Sequence, residues 1–330
     1  MRMNRLPPAW MDGLKLPLIA APMFLVSNIP LVAAACECGV LGAMPTVNAR
    51  TPEILDAWLG DLVKRLDRAQ RPAPWAVGLT THSTNPRLPA DLALCVKYRA
   101  PLVITAMGSP KPAIGPVHEY GGLVFADVNT PDYARKAAGT GVDGLVLVCS
   151  GSGGHTGQLA APAFVQAVRE FWDGIIVVAG GMMSGEMLRA TQIMGADLAY
   201  MGTRFIATEE SGADPRYKQM VVDCTYSDIV PTDVVTGALA LKLRPSLIAA
   251  GLDPDNLPKS KGFDLHYAEK QPKAWKDIWS AGQGLDLARA IEPVATIVQR
   301  LEREYAAAIL RHHDDEWSRR VLGADARVPA

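Results

Sequence analysis

The 330-residue chain carries 33 Lys and Arg against 34 Asp and Glu, so it lacks the basic excess that a phosphate polymer would select, and nucleic acid is not an expected partner. No apolar run approaches the roughly 20 residues of a membrane-spanning helix. The start, MRMNRLPPAWMDG, has no hydrophobic stretch of a secretion signal, so no membrane association and a cytoplasmic location are expected.

Eight short apolar runs follow one another along the chain: Leu16 to Ala21, Val40 to Met44, Trp75 to Leu79, Leu102 to Thr105, Leu123 to Ala126, Leu145 to Cys149, Ile175 to Ala179 and Leu198 to Met201. Most are nearly continuous in apolar residues, as strands covered on both faces are, and helical stretches separate them. Thr51 to Arg68 spaces Ile54, Leu55, Trp58, Leu62 and Leu66 at helical intervals, with Thr51, Pro52 and Glu53 as cap, first-turn proline and early acid. Ser184 to Met194 reads the same way, with Ser184 as cap and Gly195 as stop. The fold predicted is α/β, a closed (β/α)8 TIM barrel and not an open doubly wound sheet. The length exceeds the roughly 250 residues of a plain barrel, which leaves room for a second lobe.

After Met201 the alternation stops. From about Ser211 to Gln283 the chain carries Tyr217, Tyr226, Phe263, Tyr267, Trp275, Trp279 and several prolines without a regular strand pattern. A smaller, mostly helical lobe over 211–284, inserted after the eighth strand, is expected to cover the barrel's active end, with these aromatic residues as its candidate lining. Leu285 to Arg311 is again helical, with an apolar face through Ile291, Val294, Ile297, Val298 and Leu301. It is expected to pack back on the barrel, so that 1–210 and 285–330 form one domain. The five cysteines (Cys36, Cys38, Cys95, Cys149, Cys224) are odd in number and scattered, which suits reduced, buried thiols and not a disulfide framework.

The chemistry gathers where glycines follow strands. In a TIM barrel the loops after strands 7 and 8 often hold a phosphate. Here they read AGGMMSGE (179–186) and MGTRF (201–205). Gly180 and Gly181, with Gly202 and Thr203, offer bare backbone N–H groups for an anion. Glycines could equally serve tight turns, but both pairs on the last two strands favour the anion site. After the sixth run stands CSGSGGHTGQ (149–158), with His155 as the titratable side chain among glycines. Its glycine spacing and its place on a sixth strand do not fit the dinucleotide fingerprint. An ordinary imidazole switches form near neutral pH, so His155 is a candidate proton acceptor or hydrogen-bond donor.

Taken in order, PLIAAPM (17–23), GLT (78–80), GGHTG (153–157), VVAGGM (177–182), GADLAYMGTRFIATEES (195–211) and IWSAGQG (278–284) resemble the nitronate monooxygenase family. That family was formerly called 2-nitropropane dioxygenases and is related to FMN-dependent enoyl-ACP reductases and NADH:quinone reductases. The resemblance implies non-covalent FMN, with Pro22, Met23, Phe24 and Thr80 near the ring system and Gly153 approaching it. Gly180, Gly181, Gly202 and Thr203 would hold the phosphate, and His155 would be the catalytic residue. Asp127 and Val148 stand where the quinone reductase branch has a lysine and an acid. Asp127 either faces the flavin, disfavouring its anionic reduced form, or points away.

Three functions follow. The first is oxidation of alkyl nitronates with O2 to carbonyl compounds and nitrite, which needs no pyridine nucleotide and is favoured by the APM ending of PLIAAPM. The second is an NAD(P)H-dependent FMN reductase acting on a quinone or an enoyl thioester. The third is a flavin-binding protein without turnover. A small-molecule substrate and O2 are the expected partners, with a homodimer left open, and no metal site is expected.

Overall fold

The structure is a computed structural model in which residues 5–258, 260, 276–313 and 316–322 are described. In chain order its strands are β1 (Leu18–Ala20), β2 (Leu41–Pro45), β3 (Trp75–Thr80), β4 (Leu102–Ala106), β5 (Leu123–Val128), β6 (Gly144–Val148), β7 (Gly154–His155), β8 (Ile175–Ala179) and β9 (Leu198–Met201), followed by β10 (Ile229–Thr232) and β11 (Ala240–Leu243). All of β1 to β9 except β7 are parallel and close into a barrel, with β1 pairing to β2 on one side and to β9 on the other. The TIM barrel expected from the eight apolar runs is therefore present.

Period-two alternation sorts the strand residues between two cores. Ile19, Leu41, Ala43, Ala76, Leu102, Ile104, Phe125, Val146, Val177 and Leu198 point inward and fill the barrel. The intervening Val77, Val103, Val124, Leu145, Leu147, Ile176 and Val178 point outward against the helices. Burial on both faces is why the strands read as apolar runs and not as alternating ones.

Helix Pro52–Leu66 begins as predicted, with the Thr51 hydroxyl accepting from the Ile54 N–H at 3.3 Å. Its buried face is Leu55, Leu59, Leu62 and Leu66, while Ile54 is 39% exposed. Ile54 lies about 100° around the helix from Leu55 and misses the stripe that the four leucines set. Helix Gly185–Ile193 has the Ser184 hydroxyl as cap and stops before Gly195, whose φ of +102° only glycine adopts readily. The C-terminal helix is Val294–His313 and not the longer span expected from Leu285; residues 285–287 form a separate 3₁₀ turn. Pro293 is the reason: its carbonyl accepts the first helical N–H bonds, so it stands outside the helix, and Ile291 is left 38% exposed. Val294, Ile297, Val298 and Leu301 pack on the barrel side as expected.

Between these parts, helices Pro215–Asp223 and Arg244–Ala249 accompany β10 and β11. The pattern had predicted no strands here. Yet β10, β11 and β7 form an antiparallel sheet in which Ala240 stands opposite His155. The strands are short, and β11 is buried at all four positions, so no alternation marks it. This sheet fastens the added segment to the loop that carries His155. Of its aromatic residues, Tyr226 is 59% exposed and lines nothing, whereas Tyr217 and Trp279 are buried and stacked with ring centroids 5.1 Å apart. Phe263, Tyr267 and Trp275 lie outside the described residues.

Candidate active site

At the C-terminal end of the barrel lies a cavity of about 450 Å³, within the range of small-ligand sites. Inward-facing residues at the C-terminal ends of all eight barrel strands reach it: Ala21 just past β1, Pro45, Gly78 and Thr80, Ala106, Asp127, Val148, Ala179 and Tyr200. Loops form the walls. Pro22, Met23, Phe24, Thr80, Gly153, His155, Gly180, Gly181, Gly202 and Thr203, all singled out in the sequence, line this one cavity. Tyr217, Ser280, Ala281, Gly282 and Gly284 join them from the added segment, which thus lies over the C-terminal end of the barrel.

The loop after β1 is pinned by side chains. Ser27 Oγ accepts from the Met23 N–H at 2.9 Å, and Asn48 Nδ2 donates to the Met23 and Ser27 carbonyls at 3.0 and 2.7 Å. Thr80 is held through its carbonyl, which accepts from Asn85 Nδ2 at 2.8 Å. The segment 278–284 crosses the glycine loop after β6. The Gly282 N–H donates to Thr203 Oγ1 at 2.8 Å, and the Gln283 N–H to the Gly151 carbonyl at 3.0 Å. A Cβ at Gly153 would meet the Gly282 nitrogen at 2.7 Å, so this glycine is required by the crossing segment. Gly181 is different: its φ is +68°, and a Cβ there would meet nothing within 4 Å. A side chain would extend into open space at the cavity wall.

The titratable groups lining the cavity are Asp127, His155, Tyr200 and Tyr217; among the described lining residues none is Lys or Arg. His155 Nε2 lies 3.1 Å from Thr236 Oγ1. Lys242 is two positions beyond Ala240, the residue opposite His155, and so projects from the same face of the small sheet. Burial and then the Lys242 charge push His155 down to about 4. The expectation that it switches near neutral pH is corrected: its imidazole is neutral there. Burial likewise drives Lys242 well below its ordinary value.

Asp127 faces the cavity and does not point away. Burial pushes its carboxyl up to about 7. Tyr200 is raised by burial and by the Asp127 charge, and Tyr217 by burial, with its hydroxyl donating to the Ser280 carbonyl at 2.5 Å. All five cysteines are free. Burial pushes Cys36, Cys95 and Cys149 up to about 12, so these thiols are no nucleophiles. Lys242, Thr236 and Tyr200 were missed in the sequence. Parity carried the signal for Tyr200, two residues after the inward Leu198, whereas nothing local marks the β7 to β11 pairing that brings Lys242 and Thr236 to His155.

A barrel whose strand ends and glycine loops enclose one mostly apolar cavity, closed from above by an added segment, defines a small-molecule enzyme. The sequence model for nitronate monooxygenase matches residues 68–304, and the chain belongs to this family, whose enzymes are flavin-dependent oxidoreductases. A nitronate monooxygenase of Paraburkholderia phytofirmans is 27% identical over 90% of this chain and 94% of its own. Among solved structures, nitroalkane oxidase from Streptomyces ansochromogenes superposes with a TM-score of 0.78 at 25% identity, covering 92% of this chain and 99% of that one. FabK from Thermotoga maritima shares the fold, with a TM-score of 0.75 at 23% identity over 95% of this chain and all of its own. Among the described residues no helix is long and apolar enough to cross a membrane.

Proposed function

We propose that the cavity binds FMN and that the enzyme oxidises alkyl nitronates with O2 to carbonyl compounds and nitrite. The observation that carries the cofactor assignment is Gly181, a left-handed residue whose missing side chain leaves open space at the end of β8. With Gly180, Gly202 and Thr203 it would hold the phosphate through backbone amides, since no Lys or Arg lines the wall among the described residues. Pro22, Met23, Phe24, Thr80 and Gly153 would border the ring system. Two polar side-chain atoms at the cavity floor, Asp127 Oδ1 and Tyr200 Oη, have no partner in the chain, which fits a ligand with hydrogen-bonding edges.

Bound FMN would supply the electron acceptor for the substrate and the site of reaction with O2. The chain's own part is to orient the substrate and keep water out. His155, with a pKa of about 4, is a weak base for pulling a proton from carbon. A nitronate is already ionised at carbon and needs no such base, so a neutral imidazole suits it in the tautomer whose Nε2 accepts from the Thr236 hydroxyl and whose Nδ1–H would donate to the nitronate oxygen. Tyr217, Ser280, Ala281, Gly282 and Gly284 border the cavity above, and Trp279 stacks on Tyr217 behind them.

The purified protein is expected to be yellow, with one FMN per chain released on denaturation. The deciding experiment adds a small alkyl nitronate, NADH or NADPH anaerobically and follows bleaching of the flavin. Bleaching by the nitronate alone supports the reading. Bleaching by NADH or NADPH but not by the nitronate replaces it with a reductase, and bleaching by none with a flavin-binding protein.

A further inference from the structure

Of the inward strand-end residues that floor the cavity, Ala21, Pro45, Gly78, Ala106, Val148 and Ala179 carry no polar side-chain atom, and Thr80, past Gly78 on β3, adds only a hydroxyl. The other two are Asp127 on β5 and Tyr200 on β9. Asp127 Oδ1 and Tyr200 Oη are both cut off from solvent, and neither has a hydrogen-bond partner in the chain. Tyr200 feels the Asp127 charge, so the two groups lie within electrostatic reach inside the barrel. Leaving a buried polar atom unpaired is costly, and such atoms are rare unless a ligand or water completes them.

Both groups can donate O–H, and a protonated carboxyl can also accept. A ligand that satisfies them presents carbonyl oxygens beside an N–H at the edge of a flat ring. The pyrimidine half of a flavin has this arrangement. We propose that Asp127, carrying a proton, and Tyr200 form a donor pair that holds the carbonyl and imide edge of the flavin ring, so that ionisation of Asp127 weakens cofactor binding. This rests on the FMN reading above.

The chemistry sets the direction of the pH effect. With its proton Asp127 donates to a carbonyl; without it, a carboxylate faces that oxygen with no cation on the cavity wall among the described residues. Burial sets the free acid at about 7, so affinity is highest below that pH and falls above it. The other groups around the ligand are His155, neutral throughout, Tyr217, bound to the Ser280 carbonyl, and Lys242 behind His155.

The test titrates flavin-free protein with FMN between about pH 6.5 and about pH 8.5, a range in which the wild-type Kd should rise roughly tenfold or more. Asp127→Asn keeps a donor and an acceptor but no ionisable group, and its curve should stay within about threefold over that range. Lys242 and the FMN phosphate titrate alike in both proteins, so the difference between the curves reports Asp127. Tyr200→Phe should weaken binding by roughly five- to tenfold at every pH and keep the wild-type slope. Thermal unfolding of each variant checks that it is folded. Superimposable curves for wild type and Asp127→Asn, with FMN tightly bound, overturn the donor pair while leaving the FMN reading standing. A folded wild-type chain that takes up no FMN at any pH overturns both.

Discussion

The two ends of the barrel treat carboxylates in opposite ways. At the N-terminal end, Asp197 stands just before β9, where it accepts from the Arg5 and Arg169 guanidiniums at 3.1 and 2.8 Å and from the Ile176 N–H at 2.8 Å. Asp143, before β6, accepts from the Val124 N–H and pairs with His118 Nε2, both at 2.8 Å. These acids tie neighbouring strands and helices together. At the C-terminal end Asp127 Oδ1 has no partner, and its carboxyl is held up at about 7. Two well-paired carboxylates thus stand at the end where nothing reacts and one carboxyl with an unpartnered oxygen under the cavity, the division between stability and activity expected of this fold.

The largest way to break that contrast is Asp197→Ala. It removes the carboxylate from two guanidiniums whose side chains are only 17% and 15% exposed. A loss of about 3 to 5 kcal/mol of stability is expected, read as a lowered denaturation midpoint. The affinity for FMN of the fraction that stays folded should be unchanged.

Asp127→Asn should act in the reverse sense on stability. The folded acid titrates at about 7 instead of its ordinary 3.8, so between those values the folded chain binds more protons than the unfolded one. Its contribution is intact below pH 4 and is lost as the pH rises to 7. The flavin-free variant should therefore match wild type near pH 4 and exceed it by roughly 2 to 4 kcal/mol near pH 8. Denaturant unfolding at the two pH values measures this. A gap that does not change with pH would place the ionisation elsewhere.

Gly181→Val probes the wall of the same cavity. The branched side chain would enter the open space beside Gly181 and force a left-handed backbone on a residue that resists it. FMN affinity should drop about 100-fold or more, about 2.7 kcal/mol. Retention of wild-type affinity would move the phosphate away from the end of β8.

Most of this contrast was legible in the sequence, but not at the residues that sharpen it. The apolar runs located all eight barrel strands, and the glycines after the last two mark residues that line the cavity. The fifth run, however, ends at Ala126, because a carboxylate breaks an apolar pattern, whereas β5 continues through Asp127 to Val128. Parity from Leu123 and Phe125 points Asp127 inward. The helix drawn from Leu285 ran through Pro293, where a fixed ring ends the pattern that periodicity alone continues. Lys242 was out of reach for a different reason. Its place beside His155 depends on a pairing between residues more than 80 apart in sequence, and nothing local encodes that.

His155 gives the smallest and most discriminating effect. Its pKa of about 4 leaves the imidazole neutral at all ordinary assay conditions, so its own titration should not shape the rate above about pH 5. His155→Asn removes one hydrogen bond to an anionic substrate, a loss of roughly 1.5 to 3 kcal/mol, or about 10- to 150-fold in kcat/KM on a preformed nitronate. FMN content should be unchanged, because the proposed phosphate contacts lie after β8 and β9. Neutral nitroalkane should be a poor substrate for both proteins, since neither side chain is a strong base. Lys242→Met refines the point: it removes only the smaller of the two causes, so burial keeps the imidazole neutral, and any acidic limb in the nitronate profile should move up only slightly and stay below the ordinary histidine range. Loss of nitroalkane turnover in His155→Asn with full activity on the nitronate would assign the histidine as a proton acceptor. Full activity on both would remove it from the site chemistry.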